Sequence, residues 1–167
     1  MKRIIAGVLL GVLAIETNVL AVDSNGASYF GGTVANFKES KKPVEGRLDT
    51  KRDDALVFVA EDKPFAGQML SIPYSSIIDL EYGQKAGRRV GAAAATTILL
   101  GPIGLLALLS KKRSHFLTVG FKDADGKDQV AVLELGKDIV RVTLPVVETR
   151  SGKKIEYQDD EARKSAK

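Results

Sequence analysis

The sequence predicts a mainly β, α+β domain: a bent antiparallel sheet or small barrel with one C-terminal helix and an inserted apolar helical hairpin. Three observations lead to this fold class. Short β-branched runs separated by turn residues recur between residues 33 and 82, the pattern of an antiparallel meander. An Asp-Gly turn joins two alternating runs around residue 126, as in a β-hairpin. A charge-free stretch at residues 90–109 interrupts the strands, and the Gly-Pro pair near its midpoint suggests two short helical arms.

The N-terminus has the pattern of a secretory signal peptide at residues 1–21. Two basic residues precede an apolar run at residues 4–15, and Val19 and Ala21 occupy the −3 and −1 positions of a cleavage site. The alternative is an uncleaved anchor helix, which would need about 20 apolar residues. We expect cleavage and export, to the periplasm or the outer face of the inner membrane. Residues 22–32 are mostly small and polar, which predicts a flexible arm.

The β domain is predicted at residues 33–157. Polar joints rich in Asp, with Pro in one of them, set the turns between its strands. The predicted strands are residues 33–37, 46–50, 55–60, 68–73, 77–82, 116–121 and 129–135.

The C-terminal region contains the predicted helix. Residues 136–150 are expected to form a helix kinked at Pro145, because charges that suit helix termini lie at both ends, although the β-branched residues also favour a strand. A short strand is expected at residues 154–157. Residues 158–167 form a charged tail that we expect to be mobile or marginally helical.

The insert at residues 85–114 is the most distinctive segment. Residues 90–109 carry no charge, and twenty helical residues match a hydrocarbon thickness of about 30 Å. Gly101-Pro102 instead favours a hairpin whose two ends stay on one side of a membrane. A single span, and a hairpin packed against the sheet or a partner protein, are the alternatives.

Two groups of side chains in the insert are expected to contact a membrane or a partner. The basic residues that flank the apolar stretch would face an anionic lipid surface, each contributing about 1 kcal/mol. The basic group is Arg88, Arg89, Lys111, Lys112 and Arg113, and the apolar group is Ile98, Leu99, Leu100, Ile103, Leu105 and Leu106. The expected partner is therefore membrane lipid or a membrane protein, with a homo-oligomer as a further option and the small-molecule ligand undetermined.

Composition narrows the classes of function. The 25 Lys and Arg exceed the 21 Asp and Glu by only 4, too little to indicate nucleic-acid binding. The lack of Cys excludes disulfides, thiolate zinc sites and lipidation at an N-terminal cysteine. His115 is the only histidine, so it cannot join a multi-histidine metal site, and a strand-edge role is expected. We expect no cofactor, no metal and no nucleic-acid partner.

No catalytic motif is present, so an enzyme is not expected. The residual option is a pocket lined by Tyr74, Glu81 or Tyr82. Asp123 and Asp125 have the spacing of the first two ligands of a calcium loop, but a lysine occupies the fifth position, and a hairpin turn is expected instead.

Four stretches resemble a known family. They are Gly46-Arg47-Leu48, Leu56-Val57-Phe58, the run from Ile72 to Glu81, and Leu117-Thr118-Val119. With the C-terminal helix, the chain from about residue 45 to residue 157 resembles the bacterial pleckstrin-homology-like and GRAM-like domains. The resemblance implies a strongly bent sheet or small barrel closed at one end by the helix near residues 139–148, and binding of lipids or proteins rather than catalysis. The insert departs from the family pattern, and no lipid-binding residue is transferred by position.

Two hypotheses of function follow. In the first, the chain is a non-enzymatic module held to the membrane by residues 90–109 and their basic flanks. In the second, it is a soluble periplasmic protein whose insert mediates self-association or partner binding. Deletion of the insert should abolish membrane recovery in the first case and convert an oligomer to a monomer in the second.

Overall fold

The computed structural model describes residues 26–37, 39–40, 42–84 and 114–166. The strands are β1 (Ala27–Gly32), β2 (Val44–Asp49), β3 (Ala55–Ala60), β4 (Met69–Pro73), β5 (Ile77–Gly83), β6 (His115–Lys122), β7 (Asp128–Leu135) and β8 (Ile155–Tyr157). The helices are α1 (Lys137–Ser151) and α2 (Asp160–Ser165), and short 3₁₀ turns occupy Ala35–Phe37 and Tyr74–Ser76. The mainly β class with a C-terminal helix is confirmed. The helical hairpin predicted within residues 85–114 falls almost wholly outside the described residues.

All eight strands belong to one sheet in the order β4-β3-β2-β1-β7-β6-β5-β8. Six neighbouring pairs are antiparallel, but β8 is parallel to β5, so the prediction of a purely antiparallel sheet is wrong. The reason is α1, which carries the chain back along the sheet. β8 therefore runs in the direction of β7, which is also the direction of β5.

The sheet is strongly bent. Only the turn Tyr74–Ser76 links the end of β4 to the start of β5, although these strands are six positions apart in the sheet. In a flat sheet six positions would span nearly 30 Å, at about 4.8 Å per strand. Four residue steps reach about 14 Å. The sheet must curl toward itself, and it stays open because β4 and β8 are its edges.

The hydrophobic core lies inside the curl. Residues of all eight strands contribute to it, among them Leu56 and Phe58 of β3 and Leu117 of β6. Helix α1 covers this core with Val140, Leu144 and Val147. The predicted helix is confirmed, and Pro145 lies on its exposed side, where the carbonyl left without an N–H donor can reach water.

Arg150 fastens the end of α1 to the loop between β2 and β3. Its guanidinium donates to the carbonyls of Thr50 at 2.5 Å and Arg52 at 2.6 Å, and to Asp53 Oδ1 at 2.7 Å. It also lies 5.6 Å from the ring centroid of Tyr74. One side chain thus joins the helix to a loop and to the turn between β4 and β5.

The predictions for the two ends of the domain are wrong in part. Residues 27–32 form β1, paired on both sides, rather than a flexible arm. Tyr29 is buried in the core, and backbone pairing with β2 and β7 offsets the small, polar composition of the segment. A β-bulge near Phe30 and the glycines after it end the strand. The strand predicted at residues 33–37 is instead a loop and a 3₁₀ turn.

The C-terminal tail belongs to the fold. The carboxylate of Asp159 accepts from the Ala162 amide at 2.8 Å and so caps α2. Ala162 is fully buried in the core beneath β5 and β8. This packing makes residues 158–166 an ordered part of the domain rather than a mobile tail.

Candidate functional site

The basic and apolar side chains predicted to contact a membrane or partner lie between residues 88 and 113, outside the described residues. The structure instead shows where the chain enters and leaves this segment. β5 ends at Gly83 and β6 begins at His115, and the two strands are direct neighbours. Gly83 is paired with Phe116. Paired residues in an antiparallel ladder are about 5 Å apart, so the insert leaves and returns at almost one point.

Four strand ends meet there. Leu135, at the end of β7, pairs with His115 on one side and with Ala27, the first residue of β1, on the other. We call the end of the sheet marked by Ala27, Gly83, His115 and Leu135 the insert end. The N-terminal segment that precedes β1 therefore joins the domain beside the insert. A segment that crossed a bilayer once would place its own two ends about 30 Å apart.

Tyr82, His115 and Ser165 form a partly buried hydrogen-bonded cluster at the insert end. The Tyr82 hydroxyl lies 2.5 Å from His115 Nδ1 and 3.3 Å from Ser165 Oγ. The two rings are stacked with centroids 6.1 Å apart. Burial raises the pKa of the Tyr82 phenol and lowers the pKa of the His115 imidazole. A neutral imidazole accepts the Tyr82 proton at Nδ1, so the cluster ties β5, β6 and α2 together.

We expect the stability of the protein to fall as the pH drops below about 6.5, partly because of His115. Its folded-state pKa is lowered by burial, whereas the unfolded chain has an ordinary histidine pKa of about 6.5. The unfolded chain therefore binds the proton more readily. The contribution of His115 is complete above pH 6.5 and is lost as the pH falls from there through the folded-state pKa. Urea midpoints measured between pH 5 and pH 8 test this.

The matched variant is His115→Asn, whose amide oxygen can replace Nδ1 as the acceptor for the Tyr82 hydroxyl. It should show a smaller loss of stability between pH 7.5 and pH 5. Asp79, whose pKa is raised by burial, is present in both proteins and cancels in the comparison. Parallel pH profiles for the two proteins would show that His115 is not responsible.

The C-terminal segment also contacts the strand that leads into the insert. Gln158 donates from its backbone amide to the Tyr82 carbonyl at 3.0 Å and from Nε2 to Glu81 Oε1 at 2.9 Å. Its side chain lies over Gly83, where a Cβ atom would come within 1.8 Å of it. Gly83 therefore has to be glycine for Gln158 to pack here.

The residues considered for a catalytic pocket do not share one. Tyr82 points into the core, and Glu81, its neighbour in the strand, faces the other side of the sheet, where Gln158 bonds it. Tyr74 lies in the turn between β4 and β5 beneath Arg150. The three side chains therefore lie in three different environments and do not line one common pocket.

The acidic hairpin between β6 and β7 is a turn, as predicted. Asp123 Oδ1 accepts from the backbone amides of Asp125 at 3.0 Å and Lys127 at 2.9 Å. A hydrogen bond from Gln129 to the other oxygen is the main cause of the lowered pKa of Asp123. Glu134, which occupies the twelfth position of a calcium loop that would begin at Asp123, lies at the insert end opposite Phe116. Among the residues that the structure describes, no group of three His, Asp or Glu side chains could hold a metal ion.

Sequence reasoning missed an apolar surface on the outer face of the sheet. Phe30, Phe116, Val130 and Val132 lie on β1, β6 and β7 and are buried, yet they are not part of the core inside the curl. We call these four residues the outer patch. The signal was present in the continuous apolar run at residues 130–133, because strands that are buried on both faces read as unbroken apolar runs.

Comparisons with known protein families and with curated proteins found no relative of this chain. Within the described parts of the chain, neither helix has the length and apolar character needed to traverse a bilayer.

Proposed function

We propose that this chain is an exported, non-enzymatic binding module that is held at the outer side of the inner membrane by residues 90–109 and their basic flanks. We also propose that its bent sheet with a C-terminal helix is a variant of the bacterial pleckstrin-homology-like domain. The observation that carries the proposal is that the chain leaves for residues 85–113 and returns from them at the insert end, where the segment before β1 also joins the sheet.

The pairing of β5 with β6 supports a hairpin rather than a single span. Gly83 and Phe116 are partners in the ladder, so an insert that enters lipid has to return to the same side. A hairpin brings both basic flanks to one surface, where each Lys or Arg near anionic lipid contributes about 1 kcal/mol. The N-terminal segment reaches the domain at the same end, so the orientation toward the membrane is the same before and after cleavage of a signal peptide.

The direct experiment is to remove the insert without disturbing the strands. Because β5 and β6 are antiparallel neighbours, residues 85–113 can be replaced with an Asn-Gly dipeptide, which favours tight hairpin turns. The full chain should be recovered in membranes washed at high pH, and the shortened chain in the periplasmic fraction. Circular dichroism of the shortened chain checks that the sheet is retained.

The same experiment separates the two hypotheses of function. A full chain that is wholly in the soluble fraction, and that changes from oligomer to monomer when residues 85–113 are replaced, would refute the membrane proposal in favour of self-association. Recovery of both proteins in washed membranes would show that another segment is the anchor. The mass of the mature chain shows directly whether cleavage follows Ala21.

A further inference from the structure

The outer patch is a second apolar surface, separate from the core. On β6, Leu117 and Val119 face the core, so Phe116 faces outward by the alternation of a strand. On β7, Val130 and Val132 face outward for the same reason. The rings of Phe30 and Phe116 meet edge to face with centroids 5.0 Å apart. The four side chains thus form one continuous surface across the three central strands.

The side chains of the outer patch are buried. Val132 is 0% exposed, Phe116 5% and Phe30 8%, whereas side chains on a bare sheet face would be open to water. The two helices in the described part of the chain lie on the opposite face of the sheet, inside the curl. The buried apolar side chains of α1 belong to the core there, and so does Ala162 of α2. Neither helix in the described part of the chain therefore covers the outer patch.

We propose that residues 90–109 of the same chain dock on the outer patch in the lipid-free protein. The segment is uncharged over twenty residues, and the chain leaves for it at Gln84 and returns at Ser114, only two residues before Phe116. The other long stretch outside the described ranges is residues 1–25, of which 1–21 form the proposed signal peptide.

The charges around the outer patch agree with this occupant. Glu134 faces outward on β7, opposite Phe116 and Ser28, and Glu81 faces outward on β5. Both carboxylates lie at the insert end, and the basic residues that flank 90–109 are within five residues of Gln84 or Ser114 in the sequence. Docking also keeps from water an apolar surface that would otherwise favour aggregation.

Thiol labelling tests the docking. The chain has no cysteine, so Val132→Cys gives a single thiol in the outer patch. Without lipid, a maleimide should label this thiol slowly in the full chain and rapidly when residues 85–113 are replaced with Asn-Gly. Ser71→Cys, on the exposed side of β4, should be labelled rapidly in both chains. Leu133→Cys, in the core, should be labelled slowly in both, which confirms that the shortened chain is folded.

Two results would overturn the proposal. Rapid labelling of Val132→Cys in the full chain would show that the outer patch is bare. Slow labelling of this thiol in both chains would show that residues other than the insert cover it. These outcomes do not depend on membrane binding, because no lipid is present, so the proposed function can fail while the docking holds, and the reverse.

Oxidation of double cysteine variants tests whether the outer patch is occupied by residues 90–109 of the same chain or by a second copy of the chain. Val132→Cys is combined in turn with Leu99→Cys, Leu105→Cys and Leu106→Cys. At least one pair should form a disulfide that leaves the protein monomeric in size. Disulfides that form only in dimers would assign the outer patch to a second copy of the chain and would contradict intramolecular docking.

Discussion

Replacing Gly32 with alanine is expected to destabilise the protein by about 3 kcal/mol or more. Gly32 ends β1 with a φ of 138°, in a region that side-chain-bearing residues rarely occupy. A Cβ atom there would also lie 2.1 Å from the Val130 carbonyl oxygen, which belongs to the backbone of β7. The neighbouring strand would have to move, and with it the hydrogen bond of 2.9 Å from the Thr33 amide to the same oxygen. Urea unfolding followed by circular dichroism measures the loss.

Gly126→Ala is the matched control for this substitution. Gly126 has a φ of 76°, but no heavy atom beyond those of its two chain neighbours lies within 4 Å of its Cβ position. Its replacement should cost about 1 kcal/mol from backbone strain alone. The difference between the two variants measures the close approach of β1 to β7. Equal stabilities would show that β7 accommodates the added methyl group without cost.

Neutralising Lys111, Lys112 and Arg113 to glutamine is expected to weaken binding to anionic vesicles about a hundredfold. Each of these residues should contribute about 1 kcal/mol at an anionic surface, and about 3 kcal/mol corresponds to roughly two powers of ten. Vesicle flotation over a range of lipid concentrations provides the affinity. Added salt should reduce the affinity of the unsubstituted protein and should affect the variant much less.

The control removes the same charge from another part of the surface. Lys127, Lys153 and Lys154 are exposed, and Lys127 lies in the hairpin turn at the end of β6 that is remote from His115. Their triple glutamine variant has the same net charge as the first variant but should bind vesicles nearly as well as the unsubstituted protein. An equal loss in both variants would indicate attraction by net charge and would argue against a lipid surface formed by the flanks of the insert.

Most of the strands could be predicted because a change from apolar to charged or turn-forming residues marks where each one begins and ends. β3 was predicted with its observed limits, since charged turns precede and follow its apolar run. β1 could not be predicted, because Ala27 and Ser28 have no strong strand preference. What makes this segment a strand is its place between β2 and β7, and β7 lies about a hundred residues later in the chain. The parallel pairing of β8 likewise depends on the path of α1.

The sequence predicted which segment of the chain is the candidate site, but not which residues surround the ends of that segment. Residues 90–109 stood out by their lack of charge and their basic flanks, but the arrangement around the ends of the insert could be seen only from the fold. Tyr82 and His115 are 33 residues apart in sequence, and Ser165 comes from a tail that the sequence predicted to be mobile or marginally helical. No local pattern links these three residues, because their contact follows from the pairing of β5 with β6 and the packing of α2.

The pairing of Ala27 with Leu135 has a consequence for the proposed export of the chain across a membrane. A polypeptide that is translocated from its N-terminus delivers β1 to β5 first, then the insert, and only afterwards β6 and β7. Until residue 135 has emerged, one edge of β1 has no neighbour, and unpaired strand edges favour aggregation. Contacts between such distant residues also form slowly. Completion of the sheet must therefore wait until transport is nearly finished, so any arrest of translocation within the insert would leave an aggregation-prone half-sheet on the far side of the membrane.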